Sequence, residues 1–356
     1  MSVDPAILCL LPSISSTSPS NPPSISLSSL SGGTSAARTQ KLTVNDQSTT
    51  NSKATESRHY FLKTSSSPDA STIFRGEHVS LSALSTAIPD FCPRPIGHGT
   101  YENDARTSFL LTEFIESGGS SSTQSSYHEN DEPPLSLAAK IAHLHSLPSS
   151  IAEDLEKPGF GFPVTTFCGD TPLDNSWCST WVEFFAERRL LAIADRFEKL
   201  HGKDDELRNI VDRVCSEVVK RLLGNETLCS PHGPPPRLIH GDLWSGNTTI
   251  GTLAPSESPS SRPEALTFDP SSFYAHSEFD HGIMSMFPGG TFDSEFWREY
   301  FSVKEKDEPK EEYDDRVALY RSWHALNHAV MFGGRGSYRT SALRTLRDLL
   351  SKYGTS

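Results

Sequence analysis

The strongest chemical pattern in the chain is an aspartate, an asparagine five residues on, and a second aspartate closing the next apolar run: Asp242, Asn247 and Asp269. That layout suits phosphoryl transfer. The first carboxylate accepts the proton of an attacking hydroxyl, while the amide and the second carboxylate hold Mg²⁺ against nucleotide phosphates. Oxygen donors match a hard ion that keeps several of its waters. The first two residues share the segment His240-Gly241-Asp242-Leu243-Trp244-Ser245-Gly246-Asn247, which follows a proline run and a short apolar stretch ending at Ile239. Thr248 to Gly251 reads as a small β-segment, and Asp269 follows Leu266-Thr267-Phe268. Gly, Asp, Ser and Asn are also turn residues, so a polar turn between strands is the competing reading. The choice depends on whether nucleotide-holding parts lie upstream.

They do. Ser24 to Leu27 alternates like an edge strand and leads to Gly32 and Gly33, whose missing Cβ lets backbone N–H groups approach phosphate closely. The compact strand Tyr60 to Thr64 carries Lys63, a cation for the α- and β-phosphates. Phe74, Val79, Leu81, Leu84 and Ile88 recur at roughly helical spacing, with Glu77 among them to fix the lysine fourteen residues away. Each part has a plain alternative, a hairpin turn for the glycines and a solvated edge for the two charges. In this order, ahead of Asp242, they form the parts of a nucleotide site.

The elements that must position these groups divide by composition. Pro5 to Leu11 predicts a short helix with Asp4 as N-cap, and residues 13–23 are Ser/Pro-rich linker. Residues 24–115 are strand-rich, with a polar loop near 45–58, and Ser108 to Ile115 is a buried-looking strand. Residues 118–134 turn to Gly, Ser, Asn, Asp and Glu, an insertion with little to bury. Helical periodicity then covers Leu135 to His145, Trp177 to His201, Asp205 to Leu223, Glu278 to Phe287, Asp293 to Phe301, Tyr313 to Phe332 and Ser341 to Tyr353. The expected fold is α+β and bilobal, a small β-rich N-lobe over residues 24–115 and a larger helical C-lobe over 116–356.

Bulk properties narrow the partners. The 356 residues suffice for two lobes; the net charge of −13 argues against nucleic acid and anionic membrane. No apolar run approaches a membrane span. Six cysteines are scattered without a C-x-x-C pair, which suits reduced thiols and a cytoplasmic setting. His324 and His328 have zinc-ligand spacing but no third ligand in sequence, and Gly333-Gly334-x-Gly336 follows a helix, so it reads as a C-cap and turn.

With these motifs in place, the chain resembles the fructosamine-kinase, or ketosamine-3-kinase, family, a branch of the protein-kinase-like fold. His240-Gly-Asp-Leu-Trp-Ser-Gly-Asn247 is the strongest match, and its Leu-Trp-Ser-Gly filling is close to specific for the family. Phe160-Gly-Phe162, Thr166, Cys168-Gly169, Asn175-x-Trp177, Trp181, Phe184-Phe185, Arg188-Arg189-Leu190, Asp269 to Asp280 and Leu326-Asn-His328 also match. The likeness runs from about Gly32 to the C-terminus. Departures are a long span from Gly33 to Lys63, the insertion, Phe287-Pro-Gly-Gly290 for Phe-Gly-Gly-Phe, and His281-Gly282 for Leu-Ala.

The resemblance implies ATP- and Mg²⁺-dependent phosphorylation of O3 of a ketosamine, a ribulosamine or fructosamine adduct on a protein lysine or free amine. The 3-phosphate then eliminates on its own and frees the amine, a deglycation that repairs protein. Asp242 would be the base, Asn247 and Asp269 the metal ligands, and Glu113 and Ile115 the strand residues offering backbone groups to adenine. Trp244 would either stack on the sugar or pack the lobe. His240 would orient the loop, and Asp280, eleven residues past Asp269, would brace it through backbone N–H groups. The alternatives are a kinase for another small hydroxyl compound, such as an aminoglycoside or choline, and a catalytically inactive nucleotide-binding scaffold.

Overall fold

The computed structural model describes residues 3–11, 24–30, 37–46, 56–117, 134–148, 159–254, 263–287, 289–334 and 336–354. The chain forms two compact units, residues 1–136 with 249–268, and residues 137–248 with 269–356. The division near residue 115 expected from composition therefore lies later. The segment 249–268, expected in the C-terminal lobe, is part of the first unit.

In chain order the elements are α1 (Pro5–Leu8), β1 (Ser24–Ser29), β2 (Arg38–Asp46), β3 (Glu56–Ser65), α2 (Ala70–Ala87), β4 (Pro95–Thr100), β5 (Ser108–Ser117), α3 (Leu137–Ser146), β6 (Thr166–Cys168) and β7 (Thr171–Leu173). There follow α4 (Trp181–Glu183), α5 (Ala192–His201), α6 (Asp205–Arg213), α7 (Lys220–Leu223), β8 (Arg237–Ile239), β9 (Thr248–Ala254), β10 (Glu264–Thr267), β11 (Phe273–Ala275), α8 (Glu278–Met284), α9 (Ser294–Val303), α10 (Tyr313–Phe332) and α11 (Ser337–Tyr353). π-Helical turns join α4 to α5 (Phe184–Leu191) and α6 to α7 (Val214–Val219).

The first unit is built on a seven-stranded sheet in the order β1-β2-β3-β5-β9-β10, with β4 also paired to β5. Strand alternation sets its two faces. Leu42, Val44, Tyr60, Leu62, Phe109 and Leu111 join Ile7 and Leu11 in one core. The intervening Leu110 packs with Ala70 and Phe74 of α2, and Lys63 lies directly opposite Leu110 in the β3–β5 register. The N-terminal residues, expected as a helix apart from the lobe, thus belong to its core. Asp4 caps α1 through the Ala6 N–H at 3.0 Å, and its carboxylate also accepts the N–H groups of Glu102 and Asn103 at 2.9 and 3.2 Å. Burying Ile7 and Leu11 contributes about 1.5–3 kcal/mol each.

In the second unit, Trp181, Phe184, Phe185, Phe273, Phe279, Tyr320 and Trp323 form an aromatic core of tilted, stacked and edge-to-face pairs. The helix expected from Trp177 starts at Trp181. Thr180 caps it by accepting the Glu183 N–H at 3.3 Å, and Cys178 is bridged to Phe160 in extended backbone. Gly282, one of the departures, has a physical reason: a Cβ there would lie 2.9 Å from the Tyr320 and Arg321 backbone, so glycine lets α8 seat on α10. A buried pair, Arg316 Nε to Glu278 Oε2 at 2.7 Å, ties the same two helices. No helix among the described residues is long and apolar enough to cross a membrane.

Candidate active site

The second unit holds Asp242, Asn247 and Asp269. Strand β8 pairs antiparallel with β11, with buried Ile239 opposite Phe273, and delivers the chain to His240. Gly241 has φ +84°, and a Cβ would lie 2.1 Å from the Ser271 carbonyl oxygen, so the sharp turn requires glycine. Asp280, fully buried, accepts the Gly241 N–H at 2.8 Å and the His240 N–H at 2.9 Å. Its second partner shell is His145, with Nε2 3.3 Å away and Nδ1 2.9 Å from the Tyr300 hydroxyl. Ser271 N–H donates to the His240 carbonyl at 2.8 Å, closing the cradle from the other side. The brace expected of Asp280 is present, and His240 turns its Nδ1 back to the Asp242 N–H at 3.3 Å.

Asp242 keeps some exposed surface, yet its carboxyl is desolvated enough to be pushed up to about 7, burial first and then repulsion from Asp269. Asn247 moderates this: its Nδ2 donates to Asp242 Oδ2 at 3.2 Å and to the Asp242 carbonyl at 2.9 Å. With the amide nitrogen so used, Oδ1 is the atom left to accept or ligate. Asp269 is exposed at φ +55°, a left-handed conformation that non-glycine residues adopt sparingly and that recurs at functional sites. Two repelling carboxylates beside an amide oxygen form a donor set that a hard divalent cation relieves.

The filling of the loop is explained by packing. Leu243 is fully buried, and a Cβ on Gly246 would lie 2.1 Å from the Trp244 ring, so the indole lies over a position only glycine can occupy. Trp244 is half-buried, with its ring 5.8 Å from that of Phe287. Ser245 Oγ accepts the Thr291 N–H at 3.3 Å, and a Cβ on Gly290 would meet that hydroxyl at 2.8 Å. Phe287 and Gly290 of the altered motif therefore both pack against the loop.

Sequence reasoning missed Cys168. The β6–β7 hairpin is held by Ser271 Oγ on the Phe167 carbonyl and by Asn327 Nδ2 on the Cys168 carbonyl at 3.2 Å. Its thiol is buried near Asp242, and burial first and then the charge of that carboxylate hold it well above the ordinary thiol range. The only sequence signal was the Cys-Gly pair. Nothing local connected it to Asp242, seventy-odd residues later.

The first unit holds the other candidates. Because Leu62 points to the α1 face, Lys63 points to the α2 face, where Glu77 lies one turn beyond Phe74 on the packed side of the helix. Lys63 Nζ is 2.7 Å from Glu77 Oε1, and both side chains are largely buried. Glu113 is buried, but its carboxylate is committed to Arg94, with contacts of 2.8 Å to Nε and 2.6 Å to Nη2. Its N–H donates to the Arg94 carbonyl at 3.0 Å, and its carbonyl accepts from Thr112 Oγ1 at 2.9 Å. Glu113 lies opposite Tyr60 of β3. Ile115 lies opposite Leu253 of β9. Gly32 and Gly33, and most of the two polar loops, lie outside the described residues.

Other constellations resolve as structure. His324 is fully buried and His328 Nδ1 bonds the His324 carbonyl at 2.8 Å, so the pair packs a helix. The trio His276, Glu278 and Asp307 has metal-like proximity among the described residues, but Tyr320, Arg316 and Lys304 already partner its members.

Comparison with known proteins agrees with this geometry. The family model for fructosamine kinase matches residues 24–352. The ketosamine-3-kinase of Mus musculus is 30% identical over 312 residues, covering 83% of this chain and 89% of the relative. The chloroplastic protein-ribulosamine 3-kinase of Arabidopsis thaliana is 30% identical over 306 residues, covering 83% and 77%. Among solved structures, a provisionally named fructosamine-3-kinase of Thermobifida fusca superposes with a TM-score of 0.64 at 21% identity over 93% of this chain and 95% of that one. An aminoglycoside phosphotransferase superposes at 0.52 and 16% identity, over 94% and 95%, which marks the fold as kinase-like.

Proposed function

The chain belongs to the fructosamine kinase family, and we propose that within it the protein transfers the γ-phosphoryl group of ATP to O3 of a ketosamine. The observation that carries the mechanism is the held carboxylate: Asp242, fixed by Asn247 at 3.2 Å on a turn that Asp280 clamps at 2.8 Å. A carboxyl with a raised pKa is a better proton acceptor than a free aspartate, since base strength rises with pKa. Asp242 orients the 3-hydroxyl and takes its proton as the O–P bond forms. Asn247 and Asp269 would hold Mg²⁺, which when bound would screen the phosphate charge and the repulsion within the acidic site. Lys63, poised by Glu77, is the cation for the α- and β-phosphates, with the Gly32-Gly33 backbone as their cover and the Glu113 and Ile115 backbone for adenine.

The half-buried Trp244 ring offers an exposed apolar surface beside the base, suited to stacking on the sugar of a ribulosamine or fructosamine. Phosphorylation turns the C3 hydroxyl into a far better leaving group. Its elimination frees the amine, so the activity is a deglycation of protein lysines or small amines, a form of protein repair. The six free thiols suit a reducing compartment, and we assign the protein to the cytoplasm on that ground.

The test is ATP consumption by purified protein with ribulosyl-lysine, fructosyl-lysine, choline and an aminoglycoside, each with and without Mg²⁺. Turnover with a ketosamine, abolished in Asp242→Ala while ATP·Mg binding survives, is expected. Phosphorylation of a non-ketosamine alone would sink the substrate assignment, and absence of turnover with bound ATP would favour a scaffold.

A further inference from the structure

The segment 289–293, which leads into α9, meets the catalytic loop but has no part in the chemistry proposed above. Its far end is anchored on the helix. Asp293 caps α9 by accepting the Glu295 and Phe296 N–H groups, each at 2.9 Å. Phe292 is buried, with its ring 5.0 Å from that of Phe296. A cap and an aromatic contact at a helix entry fix the direction from which the chain arrives. Thr291 is the next residue back, so its place is set by the helix rather than by the loop it meets.

That loop is the 3₁₀ turn Ser245–Asn247, and Thr291 holds it on both sides. Its N–H donates to Ser245 Oγ at 3.3 Å, and its hydroxyl lies 2.9 Å from Thr248 Oγ1. Thr248 Oγ1 gives its single proton to the Ser245 carbonyl at 2.9 Å, so the Thr291 hydroxyl is the donor in the threonine pair. The bonds run from Thr291 to Thr248 to Ser245, and a second link joins Thr291 to Ser245 directly. Gly246 and Asn247 are the two residues enclosed between those holds. Asn247 is buried, and its Nδ2 is spent on Asp242, at 2.9 Å to the carbonyl and 3.2 Å to Oδ2. Its N–H donates to the Trp244 carbonyl at 2.9 Å. An amide whose nitrogen is fixed has its oxygen direction fixed with it.

We propose that Thr291 is a positioning residue for divalent-cation binding at Asn247: anchored on α9, it sets the turn so that the Asn247 amide oxygen is aimed as a ligand. The inference rests on the reading of Asn247 as a metal ligand, and not on which hydroxyl compound is phosphorylated. Mg²⁺ demands near-ideal octahedral geometry and so tolerates little error in the placement of a donor. Groups that touch a ligand rather than the metal supply that accuracy. Asp242 restrains the side-chain end of Asn247, whereas Thr291 restrains the backbone before and after it. The Thr248 and Thr291 side chains are only half-buried, so their bond adds little to global stability. Its effect is concentrated on the turn.

The test is the gain in ADP affinity that Mg²⁺ produces, measured calorimetrically on the full chain with the metal and with a chelator. The variants are Thr291→Val, Thr291→Ser, Asn247→Ala and the double variant Thr291→Val with Asn247→Ala. Thr291→Val keeps the N–H bond to Ser245 and loses the hydroxyl bond. It should lose about tenfold of the Mg²⁺-dependent gain, with ADP affinity in chelator unchanged. Thr291→Ser, which keeps the hydroxyl, should restore the wild-type gain. On Asn247→Ala the valine should cause no further loss, because both substitutions act through one ligand. A wild-type gain in Thr291→Val would overturn the proposal. So would an equal loss in Thr291→Ser, a further loss on top of Asn247→Ala, or losses that track a falling metal-free melting midpoint, which would assign the threonine to folding alone. A wild-type gain in Asn247→Ala would instead overturn the reading of Asn247 as a ligand, and the proposal with it.

Discussion

Asp280→Asn isolates the brace of the catalytic turn without changing its shape. The native carboxylate serves three donors: Gly241 N–H on Oδ1, and His240 N–H and His145 Nε2 on Oδ2. An amide supplies one oxygen. Its cheaper orientation keeps that oxygen on His240 and His145 and sets its NH₂ against the Gly241 N–H. One charge-assisted bond is lost and two buried donors face each other, for about 2–4 kcal/mol. In a unit of this size that lowers the melting midpoint by roughly 5–10 °C. The freed peptide is Gly241, directly before Asp242, so the base shifts with it, and a displacement near 1 Å costs about 100-fold in rate. Calorimetry and steady-state kinetics on the same preparation should show kcat down about 100-fold with KM for ATP changed only a few-fold. A variant that keeps the wild-type melting midpoint but loses kcat would refute the bracing role and place Asp280 in the chemistry. A variant that loses stability but keeps kcat would show that the turn holds Asp242 without it.

Lys63→Ala should lower kcat/KM for ATP by about 10²–10³, the effect of removing one phosphate-directed cation, with far-UV circular dichroism unchanged. Glu278→Gln should cost about 3–5 kcal/mol in urea unfolding, because Arg316 is left fully buried beside an uncharged partner. His324 is fully buried with both ring nitrogens unpartnered, and burial pushes its pKa down to about 3. The unfolded chain takes up a proton near pH 6.5 that the folded chain refuses, so His324 removes stability as pH falls from about 6.5 toward 3. His324→Leu should flatten that dependence by roughly 2–3 kcal/mol at pH 4.5 relative to pH 7; parallel wild-type and variant curves would refute it.

The geometry around Asp242, proposed above as the base, was legible where its parts are close in sequence. Asp242 and Asn247 share one loop, and the Asn247 amide reaches Asp242 across that loop alone. Lys63 and Glu77 were legible for a different reason: strand period and helix period each fix one face, and both charges fall on the faces that meet. Cys168 was not legible as a neighbour of Asp242, since the contact is made by two segments with unrelated local patterns. Asp4 was read as a cap, which it is, but its bonds to Glu102 and Asn103 span about a hundred residues and leave no local trace. The membership of β9 and β10 in the first sheet escaped for the same reason. Hydrophobic alternation fixes which face of a strand is buried but not which distant strand it pairs with.

That last feature bears on how the protein is made. Strands β1 to β5 leave the ribosome early, but the outer half of β5, Phe114 to Ser117, pairs with Gly251 to Ala254 of β9. At about 5–20 residues per second, translation leaves that half-strand waiting for roughly ten seconds or more. Its bare edge is then open to pairing with another nascent chain. The first unit completes its sheet only once the catalytic loop has been synthesised, because residues 249–268 follow Asn247 and precede Asp269. A cut at residue 136 therefore leaves β1 to β5 without β9 and β10, and nascent chains shorter than about 270 residues should depend on chaperones that shield strand edges.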